Sequence, residues 1–269
     1  MQKPYEIAPD TFVLPLNMKE EGFGVLYLRA GVIRGKEPVL VDTGSPIHRG
    51  EYFEQAFSIV EPKDVRWIWL SHDDRDHSGN LMQALDMCPN AKVITNFIGL
   101  GRLQEEWQLP MDRLMWVNDG DSFSIGDRTL TAIRPPLFDS PSTRGLWDPK
   151  TRTYFSVDSF SAIVPEECEE SREAPADKYE EGFFWFNSAN HPWHALADAA
   201  KLEREIDRIR RLDALHLVST HGPHATGRTA ELCDLLSRVI SSEPQAMPGQ
   251  ADLEQILAQM ALAEAAPGL

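Results

Sequence analysis

Apolar and polar positions fall into short runs along this chain, and the runs change period from strand-like to helix-like in a regular order. Phe23 to Arg34 and Pro38 to Val41 are β-rich, and Gly35-Lys36 between them predicts a hairpin. Residues 49–60 put Phe53, Phe57 and Val60 on one face at helical spacing, and Val65 to Leu70 is the next strand. Leu81 to Met87 continues a helix whose first turn holds Asp76 and His77. A strand at Ala91 to Thr95, a helix over 97–108 and a strand at Leu114 to Val117 follow. Asn118-Asp119-Gly120-Asp121 is a turn, and Phe123 to Ile133 reads as a hairpin broken at Gly126-Asp127. Pro135 and Pro136 then stop the strand.

Residues 137–152 are a polar loop leading to a strand, Thr153 to Val157, that stops at Asp158. Residues 165–182 are acidic and poor in apolar residues, which fits an exposed loop or lid, or a solvated charge run with no role. Residues 193–212 form an amphipathic helix with Leu202, Ile206 and Ile209 inward. Leu215 to Ser219 is a strand ending at Thr220-His221-Gly222-Pro223, and the next helix carries Leu232, Leu235, Leu236, Val239 and Ile240 on one stripe. Pro244 to Gln250 is a linker. Ala251 to Ala265 is a short helix with Leu253, Ile256, Leu257 and Met260 on a face, able to dock on the domain or on a second subunit. Strands alternating with helices make the chain α/β. The expected division is a domain over 1–243, then the linker and helix over 244–269.

The chain has 269 residues, 42% of them apolar and 25% charged, which is enough for a sizeable buried core. Its net charge of −16 argues against nucleic acid and anionic membrane as partners, since both select basic surface. Cys88, Cys168 and Cys233 are widely spaced, with no Cys-x-x-Cys, so neither a disulfide framework nor a cysteine-based metal site is expected. No signal-peptide pattern opens the chain, and no apolar run approaches the ~18 residues of a membrane span. A soluble, cytoplasmic protein is expected.

The chemistry is concentrated at Trp67-Ile68-Trp69-Leu70-Ser71-His72-Asp73-Asp74-Arg75-Asp76-His77. An apolar strand that runs straight into two histidines and three aspartates places costly groups at the rim of the core unless they bind something. Acids or histidines recur at other strand ends, at Asp42, Asp158 and His221, and strand ends on one edge of an α/β sheet are neighbours in space. The expected assembly is a site for two metal ions. His72 and Asp74, at i and i+2 of an extended loop, grip one ion. Asp76 and His77 start a helix and point apart to reach a second. Asp158 bridges the ions and His221 completes the second. Taken singly, the 72–77 loop also fits a charged surface loop, Asp158 a turn or N-cap acid, and His221 a structural histidine.

Together, Asp42-Thr43-Gly44, His72-x-Asp74-x-Asp76-His77, Asp158 after Tyr154-Phe155-Ser156-Val157, and His221-Gly222-Pro223 resemble the ordered motifs of the metallo-β-lactamase superfamily over about residues 10–242. The resemblance implies an αββα sandwich with the metal site at one edge of its two sheets. It also implies that Asp42 braces the loops beneath the site without binding metal. The superfamily's hydrolases carry His at the place of Asp74. The flavodiiron proteins and the flavin-free oxygen-binding diiron proteins carry a carboxylate there, usually Glu. The run Tyr154 to Ser161 and Thr220-His221-Gly222-Pro223 are also similar to theirs.

No histidine lies between His77 and His191, so the superfamily's middle histidine is missing; aligning Pro136 to Pro141 with the diiron pattern puts Asp139 in its place, unless that position is simply lost. With Asp139, three His and four Asp favour iron or manganese over zinc. The resemblance therefore implies a non-haem diiron protein that binds or reduces O2 or another diatomic, with Asp76 and Asp158 at the reacting centre. No FMN domain is expected in this chain, so electrons would come from a separate partner. The alternatives are a dinuclear hydrolase acting on a phosphodiester, ester or thioester, and an oxygen or redox sensor that signals to a partner without turnover. A homodimer is compatible with the relatives. His191 and His194 fit either a structural role or the pocket wall. His216 and His48 fit structural roles, and His224 is close enough to His221 to line the mouth.

Overall fold

The computed structural model describes residues 3–20 and 24–265. In chain order, β1 (Tyr5–Ala8) and β2 (Thr11–Leu14) open one sheet, and β3 (Asn17–Glu20) and β4 (Gly24–Tyr27) form a separate ribbon. Next come β5 (Ala30–Ile33), β6 (Val39–Val41), α1 (Arg49–Ile59), β7 (Trp67–Trp69), α2 (Arg75–Ser78), α3 (Leu81–Met87), β8 (Lys92–Thr95), α4 (Phe97–Leu103) and β9 (Leu114–Trp116). The second half holds β10 (Ser122–Ser124), β11 (Thr129–Ile133), β12 (Gly145–Asp148), β13 (Thr153–Val157), α5 (Ala176–Ala189), α6 (Ala199–Arg210), β14 (His216–Ser219), β15 (Ala225–Thr226), α7 (Thr229–Ile240) and α8 (Gln250–Ala265). A seven-stranded sheet, β1-β2-β5-β6-β7-β8-β9, faces a six-stranded one, β10-β11-β12-β13-β14-β15.

Three apolar layers follow from strand periodicity. In β6, Val39 and Val41 point between the sheets while Leu40 points to α1 and α3. In β7, Trp69 points between the sheets and Ile68 toward the helices. In β13, Phe155 faces the inter-sheet layer and Tyr154 faces the outer layer closed by α5, α6 and α7. Helices on the outer face of each sheet give the αββα sandwich. Burying each such side chain contributes about 1.5–3 kcal/mol. β6, β7, β8 and β9 are mutually parallel, as are β13 and β14, so the carboxyl ends of β6 and β7 emerge together, as do those of β13 and β14. The functional loops leave from there.

Several elements differ from the sequence pattern. The run from Phe23 breaks at Leu28-Arg29, where the two amides bond to Leu16 and Thr220, so β4 and β5 enter different sheets; Phe23 itself lies outside the described residues. The single helix expected from Asp76 to Met87 is two, because Asn80 donates its amide to the carbonyls of Thr43 and Ser45 at 2.8 and 3.0 Å and turns the chain. The polar stretch 137–152 contains β12, whose central Leu146 is buried. The acidic 165–182 segment is a turn-rich surface only as far as Pro175. From Ala176 it is α5, which buries Tyr179 and Phe183. The 193–212 helix starts later, at Ala199. Asp198 caps it, accepting from the amides of Ala200 and Lys201, after a separate turn at Pro192–Leu196. Leu253, Ile256 and Leu257 of α8 are about half exposed, and the side chain of Met260 lies outside the described residues.

Candidate metal centre

Each loop is held by backbone chemistry before its side chains meet. β7 is buried, and at its end Ser71 and His72 are almost wholly enclosed. Asp74 precedes α2 in extended conformation and makes no capping bond, which leaves its carboxylate facing His72. Three non-glycine residues around the site, Asp42, Val157 and Phe160, have left-handed φ of 60°, 59° and 65°. For a β-branched valine this costs on the order of 1–3 kcal/mol. The strained turn at Val157 is what swings Asp158 out of the strand and into the centre.

The seven predicted donors fall into overlapping groups. His72 Nε2 lies 3.6 Å from Asp74 Oδ2, 3.8 Å from Asp139 Oδ1 and 3.5 Å from Asp158 Oδ2. Asp158 Oδ1 lies 3.1 Å from both His77 Nε2 and His221 Nε2. Asp76 Oδ2 is 3.4 Å from His77 Nε2 and 3.3 Å from His221 Nε2. Donor atoms of His72/Asp74/Asp139, of Asp76/His77/His221 and of His72/His77/Asp158 each lie within 4.8 Å of one another and could hold an ion. Asp76 and His77 thus converge on His221 instead of pointing apart. A short helix with both residues in its single turn brings them to one side. The two oxygens of Asp158 face different groups.

The imidazole orientations are set from outside. Asp42 Oδ1 accepts the Ser71 amide at 2.7 Å, while its Oδ2 accepts the Ser71 hydroxyl at 2.8 Å and His77 Nδ1 at 2.9 Å. His221 Nδ1 donates to the Tyr27 carbonyl at 2.8 Å. With Nδ1 carrying the proton, each Nε2 presents a lone pair to the centre. His72 Nε2, His77 Nε2 and Asp158 Oδ1 are buried and have no hydrogen-bond partner. Unpartnered lone pairs of this kind are stabilised by a cation.

The electrostatics agree. Burial alone would lower His77, but Asp76, Asp158 and Asp42 outweigh it and hold it well above the usual imidazole range. Burial would raise Asp158, yet His77, His221 and His72 hold it well below the carboxylate range. Asp139 differs: burial, then Asp158, pushes it up to about 6.

What holds Asp139 comes from residues far from it in the chain. Asp73, between two donors, turns the other way. It accepts the hydroxyls of Ser140 and Ser142 at 3.1 and 2.5 Å and Arg102 Nη1 at 3.1 Å, tying the 72–77 loop to the loop that carries Asp139. Asn190 Nδ2 reaches Asp139 from the other side at 3.5 Å. An Asp139→Ala chain is expected to bind the ion beside His72 about 10- to 100-fold more weakly and to keep the ion beside His221. Isothermal titration with Mn(II) or Fe(II) under nitrogen reads both steps, and unchanged affinity for both would remove Asp139 from the centre.

The remaining histidines separate. His191 is buried with Nδ1 bonded to the Asn187 carbonyl at 3.0 Å, its Nε2 unpartnered, and burial pushes it down to about 4 against the pull of Asp158. His194 is buried, and the acid that acts on it is Glu243, not a centre carboxylate. His216 bonds Thr226 within the β14–β15 pair. His224 does not line the mouth. β15 turns it against Tyr5, with Nδ1 3.3 Å from the phenol and the rings 5.5 Å apart.

Burial, then Arg29, lowers His224 from 6.5 to about 4. An unfolded chain therefore takes up this proton first, so the neutral imidazole's contribution is intact above about pH 6.5 and is lost as pH falls toward 4. Between about pH 7 and pH 5 the loss is about 2 kcal/mol. Urea unfolding of His224→Gln beside the parent at both pH values checks this. The variant should lose less stability on acidification, and equal losses would contradict the assignment.

Residues 27–222 match the family model described as ODP family beta lactamase. The chain is 26% identical over 225 residues to the type A flavoprotein fprA of Rhodobacter capsulatus, covering 82% of this chain and 50% of that one. It is 24% identical over 226 residues to the flavo-diiron protein FprA2 of Clostridium acetobutylicum, covering 82% and 54%. The chain thus spans about half the length of these curated relatives. Among solved structures, the flavodiiron protein from Giardia intestinalis superposes with a TM-score of 0.77 at 16% identity, covering 90% of this chain and 60% of that one. The rubredoxin oxygen:oxidoreductase from Desulfovibrio gigas gives 0.75 at 18% identity, covering 88% and 60%. These likenesses are of fold. Among the described residues, no helix is long and apolar enough to cross a membrane.

Proposed function

The chain belongs to the ODP beta-lactamase family, of metallo-β-lactamase fold and related to flavodiiron proteins, and from that membership we propose that it is a non-haem diiron protein that binds or reduces O2 or another diatomic. The observation that carries the proposal is the donor set. His72, Asp74 and Asp139 would hold one ion, Asp76, His77 and His221 the other, and Asp158 would serve both. Three imidazoles with four carboxylates are rich in hard oxygen, which favours iron or manganese over zinc. Four carboxylates also balance two divalent charges, and the balance tolerates a further positive charge on oxidation. Two irons so held would supply a pair of adjacent redox centres for a diatomic ligand.

The residues around the ions have separate tasks. Asp42 and the Tyr27 carbonyl keep His77 and His221 in the tautomer that offers Nε2. Phe186 lies against His221 with ring centroids 5.1 Å apart and keeps water from that side. Asp74, whose side chain is the most exposed of the donors, marks the side from which a small ligand enters. Electrons would be supplied by a redox donor.

Stopped-flow mixing of the iron-loaded, pre-reduced and desalted chain with limiting O2 tests the proposal. The expected result is O2 consumption with oxidation of two irons per chain, slowed at least about 100-fold in Asp76→Ala. A chain carrying two irons that neither binds nor consumes O2 or nitric oxide would refute it.

A further inference from the structure

Behind the metal centre, between the two sheets, is a small cavity of about 20 Å³ bordered by Arg29, Gly31, Asp42, Trp69, Ser71 and Thr220, among others. That is room for one water molecule. Two of the bordering residues carry a buried side-chain donor with no partner in the protein, Arg29 Nε and Trp69 Nε1. Arg29 is 3% exposed and Trp69 1% exposed, so neither nitrogen is served by bulk solvent. The rest of the Arg29 guanidinium is engaged elsewhere. Its Nη1 and Nη2 donate to the carbonyls of Glu169 and Cys168 at 3.2 and 3.0 Å, and it lies over the Tyr27 ring at 4.5 Å. Among the described residues it has no carboxylate in salt-bridge contact, although its charge is buried.

Asp42 borders the same space. A carboxylate has about four lone-pair positions. Asp42 uses three, for the Ser71 amide, the Ser71 hydroxyl and His77 Nδ1, of which only one is on Oδ1. One position therefore remains on Oδ1. A cavity of one-water size with two orphaned donors and one open acceptor fits a bridging water, which typically makes two to four hydrogen bonds.

We propose that this cavity holds a resident water, and that Arg29 and Trp69 are positioning residues for the metal centre, supporting Asp42 through that water from the side opposite His77. In this arrangement Asp42 is fixed on two sides. Ser71 and His77 hold it from the centre, and the water-linked pair holds it from behind. The His77 ring is then aimed by a chain that begins two residues before Ser71, in β7, and in the segment leading into β5. The inference rests on the reading of His77 as a metal donor, but the water does not.

Two measurements test it. A high-resolution crystal structure, with or without metal, should show an ordered water within hydrogen-bond distance of Arg29 Nε, Trp69 Nε1 and Asp42 Oδ1, and a dry cavity overturns the proposal. In solution, Trp69→Phe keeps the ring packing but deletes the donor. Its affinity for Mn(II) at the His77 side should fall about tenfold, within the range for outer-shell partners. Phe123→Leu is the control, because Phe123 stacks on Trp69 at 5.9 Å and touches no donor. It should lower the melting temperature with metal affinity unchanged. Equal affinity in Trp69→Phe and the parent, or equal loss in both variants, overturns the positioning role. A parent chain that takes up no metal would instead sink the metal reading and leave the water test standing.

Discussion

An Asp158→Asn chain is expected to hold at most one metal ion where the parent holds two. Asp158 is 3% exposed, and its two oxygens face different partners: Oδ2 meets His72 at 3.5 Å, while Oδ1 meets His77 and His221 at 3.1 Å. Asparagine keeps the volume but replaces one oxygen with an N–H donor and removes the negative charge. Whichever way the amide turns, one imidazole group loses an anionic neighbour and gains a donor aimed at its lone pair. The weakened ion should bind at least about 100-fold less tightly, more than the loss expected for outer-shell partners. Elemental analysis after gel filtration reads the stoichiometry directly. Two ions retained per chain would mean that Asp158 serves neither.

Gly182→Ala is expected to give the largest loss of stability. A Cβ at Gly182 would lie 1.7 Å from the Ile163 carbonyl oxygen and 2.8 Å from its carbon, both backbone atoms that no rotamer change can move. In an isolated helix alanine would help by about 1 kcal/mol. Here the contact overrides propensity, and overpacking costs about 3 kcal/mol. For a chain of this size that lowers the melting temperature by about 6–12 °C. The consequence reaches the centre. On the same helix, Asn187 Oδ1 accepts the Phe160 amide at 2.9 Å and Asn187 Nδ2 donates to the Ser161 carbonyl at 2.9 Å, clamping the segment just after Asp158. Pushing α5 outward loosens that clamp, so metal affinity should fall together with stability. A melting temperature within about 2 °C of the parent would show that α5 and the 160–163 segment can separate at little cost.

What was legible in the sequence is the part governed by strong local patterns. Trp67 to Leu70 reads as a buried strand, and charged residues just past it must lie at a rim, which locates His72 to His77. Asp42, Asp158 and His221 share that logic, since parallel strands end on a common edge. The rest depends on partners distant in the chain. β12 opens with Gly145, a poor strand former, and is held only by pairing with β11 and β13. The break between α2 and α3 comes from Asn80 bonding carbonyls some 35 residues away. The acids of the 165–182 segment hide the apolar face of α5, which shows only once Tyr179 and Phe183 meet the sheet. Asp73 could not be told from its neighbours by type. Only the fold turns it toward Ser140 and Ser142 while Asp74 and Asp76 turn inward. Proximity to His221 in the sequence suggests the mouth for His224, but the β15 turn carries it to Tyr5.

The proposed pair of irons would show itself when air is admitted. The most direct measurement is metal content and visible spectrum of the chain purified without air, before and after oxygen is admitted. Two irons per chain and a new visible absorption on exposure to air are expected. Two zinc ions, an unchanged spectrum and turnover of a phosphodiester would contradict it.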